Sequence, residues 1–367
     1  MRKLLNLTKI VLVIFNFAII SCQQDNSMKR FKYNTGSSCP SYYGITTYEQ
    51  VMYSDSDEMI MIDGVGSLRS PWGDGGVTFI KNSPSENSVP KTLNIGYYSD
   101  TEDQFYEGEF QLPSEEIEKF LEEKSKNFGV KSQNINEHKY DRIEIGVALG
   151  GMIVVWMKGE GEQREVGKYN AKIVKHHWED IFDNGTREEE VKYNLEKVFT
   201  NKVKEEVLNK TLPIDLWEKY REKFSWNYSV NVPQNAVVNS VYLKMINAEA
   251  ETNYLKISTD QPSQRAVPYQ AEIIWTLNGK RYESRIIFAE GENYYNTIYK
   301  ATIASSDNPY PADLTKEEIY QNFIKIKPGH PAELIFNLST SREINVNLKQ
   351  ENTSFNIRKI TGKTFQQ

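Results

Sequence analysis

Cysteine is almost missing from this chain: 367 residues carry two, Cys22 and Cys39, too few for the disulfide framework that staples small secreted domains. Histidine is nearly as scarce, at four residues. Only His176-His177-Trp178-Glu179-Asp180 gathers potential metal ligands, and adjacent residues on a strand point to opposite faces. At most one of His176 and His177 could therefore meet one carboxylate, so no metal and no cofactor is expected. Long apolar runs are also lacking. The single one, Ile10 to Ile20, is eleven residues long, and at a rise of ~1.5 Å it reaches about half of a ~30 Å hydrocarbon core. It cannot be a spanning helix.

The motifs of common catalytic sites are missing too: no GxSxG elbow, Walker loop, HExxH or GxGxxG after a strand occurs. Cys39 with a distant His could form a thiol nucleophile, but the sequence puts it at the join between tether and domain, without rigid support. No long Lys/Arg stripe is present, and the net charge is -6. Removing Arg2, Lys3 and Lys9 with a leader gives -9 (-6 minus 3). Nucleic acid is a poor partner for such a chain.

What is present begins with an address. Arg2 and Lys3 precede the apolar run, and Ile19-Ile20-Ser21-Cys22 follows it. This resembles a bacterial lipoprotein signal, with residues 1–21 removed and Cys22 acylated; a plain secretory leader with a chance cysteine is the alternative. Residues 22–41 are polar and Ser/Asn-rich, as a tether would be. The expected location is the bacterial cell envelope, lipid-anchored, with the outer membrane favoured because Gln23 is not a retention Asp.

The best-defined core segment is DRIEIGVALGGMIVVWMK, Asp141 to Lys158. Ile143, Ile145, Val147 and Leu149 alternate with Arg142, Glu144, Gly146 and Ala148, the period of a strand with one apolar face. Gly150-Gly151 tolerate positive φ, so the chain is expected to return as a hairpin. A two-residue turn would set Val147 opposite Val154 and Ile145 opposite Trp156. The returning strand is apolar on both faces, which places it inside a sheet covered on both sides. Further strands are expected at Leu93–Tyr98 and Phe105–Phe110, joined by the acidic tip Ser99 to Asp103, best read as a solvated turn. Thr186-Arg187-Glu188-Glu189 has the form of a capping box. Behind it Val191, Leu195, Val198, Val203 and Val207 suggest one long helix covering Gly146 and Ala148.

Around Asn227 to Asn239 the text turns polar, and a linker at 229–240 is expected to separate an N-terminal domain (42–228) from a C-terminal one (241–367). Asn278-Gly279, between Ala271–Leu277 and Arg281–Phe288, is a strong hairpin turn. The fold class is therefore α+β: two domains, each a mainly antiparallel sheet built on β-hairpins with covering helices.

Several pieces, in order, resemble a known family: Trp72-Gly73-Asp74-Gly75-Gly76, Phe105 to Phe110 with Leu112-Pro113, Tyr140-Asp141-Arg142-Ile143 into Gly150-Gly151, Val154-Val155-Trp156, and Leu212 to Arg221. The family is that of the bacterial envelope lipoproteins known as domain of unknown function 2931, and the likeness covers about Tyr43 to Tyr228. The resemblance implies no catalytic residues. Because some relatives sit beside secretion-system effectors, it implies an immunity role.

The expectation is a non-enzymatic lipid-anchored protein that binds another envelope protein, with immunity to a secreted toxin as its most concrete form. Trp72, Asp74, Trp217 and Tyr220 are its candidate binding surface. An envelope hydrolase or glycan-binding protein with a dispersed site near Trp72 and Asp74, and a structural envelope component, stand as alternatives.

Overall fold

The computed structural model describes residues 29–62, 66–68, 71–74, 85–124, 139–254, 261–288, 316–340, 344–357 and 361–366. The expected signal peptide (1–21) and Cys22 lie outside the described residues. The chain opens with β1 (Arg30–Ser38), β2 (Ile45–Ser54), β3 (Met59–Met61), β4 (Gly66–Leu68), β5 (Ser85–Ser88), β6 (Pro90–Ser99) and β7 (Gln104–Gln111), then helix α1 (Ser114–Glu122). Next come β8 (Tyr140–Val147), β9 (Met152–Gly159), β10 (Glu162–Asn170) and β11 (Lys172–Val174). A run of short helices follows: α2 (Trp178–Ile181), α3 (Arg187–Tyr193), α4 (Asn201–Asn209) and α5 (Leu216–Lys219). The remainder is β12 (Phe224–Asn231), β13 (Val237–Met245), β14 (Ala250–Asn253), β15 (Ser263–Arg265), β16 (Pro268–Leu277) and β17 (Lys280–Ile287). It ends with α6 (Lys316–Phe323), β18 (Ala332–Leu338), β19 (Ile344–Gln350), β20 (Thr353–Asn356) and β21 (Thr361–Gln366).

These strands make three sheets. One has ten strands in the order β21-β17-β16-β13-β14-β10-β9-β8-β1-β5. A six-stranded sheet pairs β4 onto β2 of the row β11-β7-β6-β2-β3, and a five-stranded sheet runs β15-β12-β18-β19-β20. The class is α+β, dominated by antiparallel pairing. Leu93, Ile95 and Tyr97 of the six-stranded sheet pack against Ile143, Ile145, Val147, Ile153 and Val155 of the large one. On the opposite face of that sheet Ala148, Val154 and Trp156 meet Trp72, Phe199, Val203 and Trp217. Farther along, Leu243, Ile273 and Trp275 of the large sheet meet Trp226, Leu334 and Phe336 of the five-stranded one, with Phe323 of α6 among them. Alternating apolar residues thus give the large sheet two covered faces, and each aliphatic side chain so buried stabilises the fold by roughly 1.5–3 kcal/mol.

Four expectations change. Residues 30–38, assigned to the tether, form β1, which lies parallel to β8 with Asn34 opposite Arg142 and Ser38 opposite Gly146. Phe31, Tyr33, Thr35 and Ser37 alternate inward, a strand period concealed by the small polar residues. Cys39 is accordingly buried, its Sγ 3.1 Å from the Leu68 carbonyl oxygen. The central hairpin turns through three residues, Leu149–Gly151, closed by Ala148 N–H donating to Met152 O at 2.9 Å. Its register therefore sets Val147 opposite Ile153 and Ile145 opposite Val155, one residue away from the expected pairing.

The helix expected over 186–210 is broken. A π turn at Asn194–Val198 separates α3 from α4, and Thr200 starts α4 afresh by accepting from Val203 N–H at 3.3 Å. Its residues cover Ala148, whereas Gly146 lies beneath Trp156 and Trp72. Finally, the expected linker at 229–240 is strand at both ends, the tail of β12 and the head of β13, with Ala236 N–H bonded to Pro233 O between them. Both halves contribute to the ten-stranded sheet, where Gln163 of β10 pairs with Ala250 of β14.

Candidate functional site

Of the four residues expected to form a binding surface, three are interior. Trp72 stands edge-on to Trp156, centroids 4.9 Å apart at 84°, and Trp217 stands edge-on to Tyr43 at 5.4 Å and 74°. Tyr220 is fully buried in the cluster that holds Trp226 and Phe323. Large flat rings close the underside of the sheet well and leave no face for a partner.

Asp74 is placed differently. Its carboxylate bridges Lys158 Nζ of β9, at 2.7 Å, and Lys244 Nζ of β13. Gln163 Nε2 and Lys158 Nζ donate to Gly73 O at 3.0 and 3.2 Å, fixing the loop that presents the acid. Burial alone would raise the Asp74 pKa; the two ammonium groups outweigh it and hold the carboxyl well below the usual carboxylate range. Beside it lies a small polar cleft of about 290 Å³ lined by Lys158, Gln163, Tyr242 and Glu272. Chemically this is a charge clamp between the two halves of the large sheet.

The two histidines do not converge. His176 Nε2 lies 2.7 Å from Glu107 Oε1, which also accepts from Tyr48 O–H at 3.1 Å, while exposed His177 precedes α2 without a side-chain capping bond. The His176 ring packs edge-on to Phe105 and Tyr48, at 5.5 and 5.8 Å. Among the described residues no group of three or more His, Cys, Asp or Glu is placed to hold a metal ion.

The acidic tip does more than expected. Ser99, Asp100 and Thr101 are buried, and Glu102 accepts from Tyr106 O–H at 2.8 Å and from Gly150 N–H at 3.0 Å. Asp103 accepts from Tyr98 O–H at 2.7 Å and from Arg187 Nε at 2.6 Å. The hydrogen bond to Asp103 raises the Arg187 pKa further. Arg187 opens α3, held by the capping box the sequence announces: Glu189 N–H donates to Thr186 Oγ1 at 3.2 Å and Thr186 N–H to Glu189 Oε2 at 2.9 Å. Between the tip and α3 with its π turn is a concavity of about 710 Å³ lined by Asp103, Arg187, Glu188, Val191, Lys192, Leu195 and Glu196.

The sequence reading gave Val191 and Leu195 a covering role and Asp103 a place in a solvated turn, and missed the surface they make together. A clue lay in the five-residue step from Val198 to Val203, which a regular helix does not produce. π turns of this sort recur at functional sites. On the same cover Tyr193 and Leu208 keep 57% and 65% of their surface exposed.

No curated protein and no solved structure matches the chain. A family model described as "Protein of unknown function (DUF2931)" matches residues 21–215, a span that contains the acidic tip, the concavity and the whole of α3 and α4. The chain belongs to that family.

Proposed function

We propose that this protein is a non-catalytic, lipid-anchored binding protein of the bacterial envelope, held at the outer membrane, which recognises another protein through its helical cover. Neutralising a secreted toxin is the most concrete form of that role. The observation that carries the reading is the concavity at α3 and the π turn, where Val191 and Leu195 are rimmed by Asp103, Arg187, Glu188 and Lys192. An apolar floor within a charged rim is the anatomy of a protein-recognition patch. Tyr193 and Leu208, large and exposed on the same cover, supply anchors of the size such patches use.

The hydrolase alternative draws less support from the site it would use. A general acid needs a carboxyl with a raised pKa, and the two lysines depress that of Asp74.

The test is calorimetric titration of the purified protein with the products of neighbouring toxin-like genes. Tyr193→Asp is expected to weaken binding at least about tenfold, ~1.4 kcal/mol, while Val237→Asp, an exposed position on the other half, leaves it unchanged. Equal affinities for the two variants, or no binding by any candidate, would remove this reading.

A further inference from the structure

The five-stranded sheet lies wholly outside residues 21–215, the span shared with the family. Its strands alternate strictly: Trp226, Tyr228, Leu334, Phe336, Val346 and Leu348 enter the core, so the residues between them face the other way. That outward face gathers Asn227, Asn231, Asn337, Asn345, Asn347 and Asn356. Register sets them in rows across the strands. Asn231, Asn337 and Asn345 make one row, and Ser229, Ile335, Asn347 and Asn356 make the next. With ~4.8 Å between strands, the second row spans roughly 14 Å.

Charge is scarce on this face. Among its described residues Glu333 and Lys349 carry one of each sign, and they lie opposite each other in register. The outer side of β13, β16 and β17, across the same core, bears Lys244, Glu272, Arg281 and Arg285. Ile335, half-buried in the middle of the amides, is the one large apolar side chain among the described residues of the face. Asn231 Nδ2 donates to Asn337 Oδ1 at 2.8 Å. Among the described residues the side-chain amides of Asn345, Asn347 and Asn356 meet no hydrogen-bond partner.

Those properties select among partners. A protein interface draws its energy from aromatic, methionine and arginine anchors, and this face offers a single isoleucine. A polyanion needs an excess of cations, and Lys349 is faced by Glu333. A polyhydroxylated neutral chain needs neither. Each amide supplies one acceptor oxygen and two donor hydrogens, and each sugar hydroxyl one donor and two acceptor sites, so neighbouring groups satisfy one another in pairs. Short asparagine side chains also lose less rotamer freedom on being held than lysine or glutamate would. Rows of amides at the strand spacing repeat on the scale of successive sugars, and Ile335 offers a spot for the C–H face of a ring.

We propose that the outward face of the five-stranded sheet binds a neutral polysaccharide, with the amide rows hydrogen-bonding its hydroxyls around Ile335. This goes beyond protein recognition at α3 and shares no residue with it. Binding is weak per sugar and grows with chain length, because several amides engage one chain.

The test is affinity electrophoresis of the purified protein in native gels containing mannan, xylan, hydroxyethylcellulose or dextran, each read against a gel without polysaccharide. At least one of them is expected to retard the protein. Asn345→Ala combined with Asn347→Ala should raise the dissociation constant at least about tenfold, while Arg281→Ala, on the other side of the core, leaves it unchanged. Asn345→Asp with Asn347→Asp, which keeps the shape and removes the donors, should show the same loss, and thermal melting reports that each variant is folded. No retardation by any of the four polysaccharides would overturn the proposal, as would equal retardation of the parent and both double variants. Retardation by polygalacturonate alone would show binding through charge and overturn it too. A dimer seen by sedimentation without sugar, and lost in the double variants, would assign the face to a second copy of this chain and overturn the glycan site.

Discussion

A methyl group added at Gly146 would fall 2.4 Å from two ring carbons of Trp156 and 2.8 Å from a third on Trp72. Neither indole can withdraw, because both are buried and stand edge-on to each other. Gly146→Ala should destabilise by about 1–3 kcal/mol through overpacking, read by urea denaturation and by changed near-ultraviolet dichroism of the tryptophans. Gly279→Ala acts through the backbone instead. Its φ is +75 with nothing within 4 Å, so an alanine there has room but sits in the left-handed region at a cost of about 1 kcal/mol, without a tryptophan signature. Asp74→Asn tests the charge clamp. Because the side chain keeps 43% of its surface, solvent screens the pair, and a loss of about 1 kcal/mol is expected, between exposed and buried ion pairs. The folded carboxyl titrates below the ordinary aspartate value of 3.8, so its contribution is present above that value and is lost as pH falls through the lower folded one. Denaturation curves of parent and variant should converge in acid and in high salt; a constant difference across pH would contradict the clamp.

Elements were legible in the sequence where a short code decides them. Asn278 and Gly279 both take positive φ, at 51 and 75, and Leu277 pairs with Lys280 across a two-residue turn, as that dipeptide dictates. The capping box at Thr186 is present with both reciprocal bonds. Thr186→Ala should loosen α3 by about 1 kcal/mol, seen as faster amide exchange across 187–193 while β8 and β9 keep their protection. Elements settled by distant partners were hidden. The register of the central hairpin depends on loop length, and β9 is apolar on both faces, so either register buries the same kind of side chain and hydrophobicity cannot choose. β1 reads as tether because its inward residues include Thr35 and Ser37; what makes it a strand is β8, about a hundred residues later in the chain. The candidate surface was hidden for the same reason. Arg187 is an ordinary first-turn residue until Asp103 of another segment meets it. Conversely, the aromatic residues singled out as a surface were taken inward by the cores, where area removed from water outweighs their use outside.

At the scale of the whole molecule, the apolar clusters of two sides share one sheet across a narrow join. Gln163 and Ala250 are the registered backbone pair between β10 and β14. Side chains reinforce it: Asp74 with Lys244, Arg164 Nη1 3.8 Å from Glu251 Oε2, and Thr252 Oγ1 donating to Gly161 O at 2.9 Å. The apolar clusters on the two sides, with Trp156 and Trp72 in one and Trp275 and Phe336 in another, meet along a narrow seam, where Leu216 packs against both and Ala248 of the β13–β14 turn joins the first. Burial supplies most of the cooperativity of folding, and polar bridges at a partly wet join supply little. Each side should therefore melt largely on its own, giving a calorimetric enthalpy larger than the van't Hoff value of either transition. Gly146→Ala should lower one transition and Gly279→Ala the other, because the two glycines serve different cores. A single transition that both variants shift alike would mean that the halves are coupled more strongly than the one registered pair, the polar bridges and the seam at Leu216 and Ala248 account for.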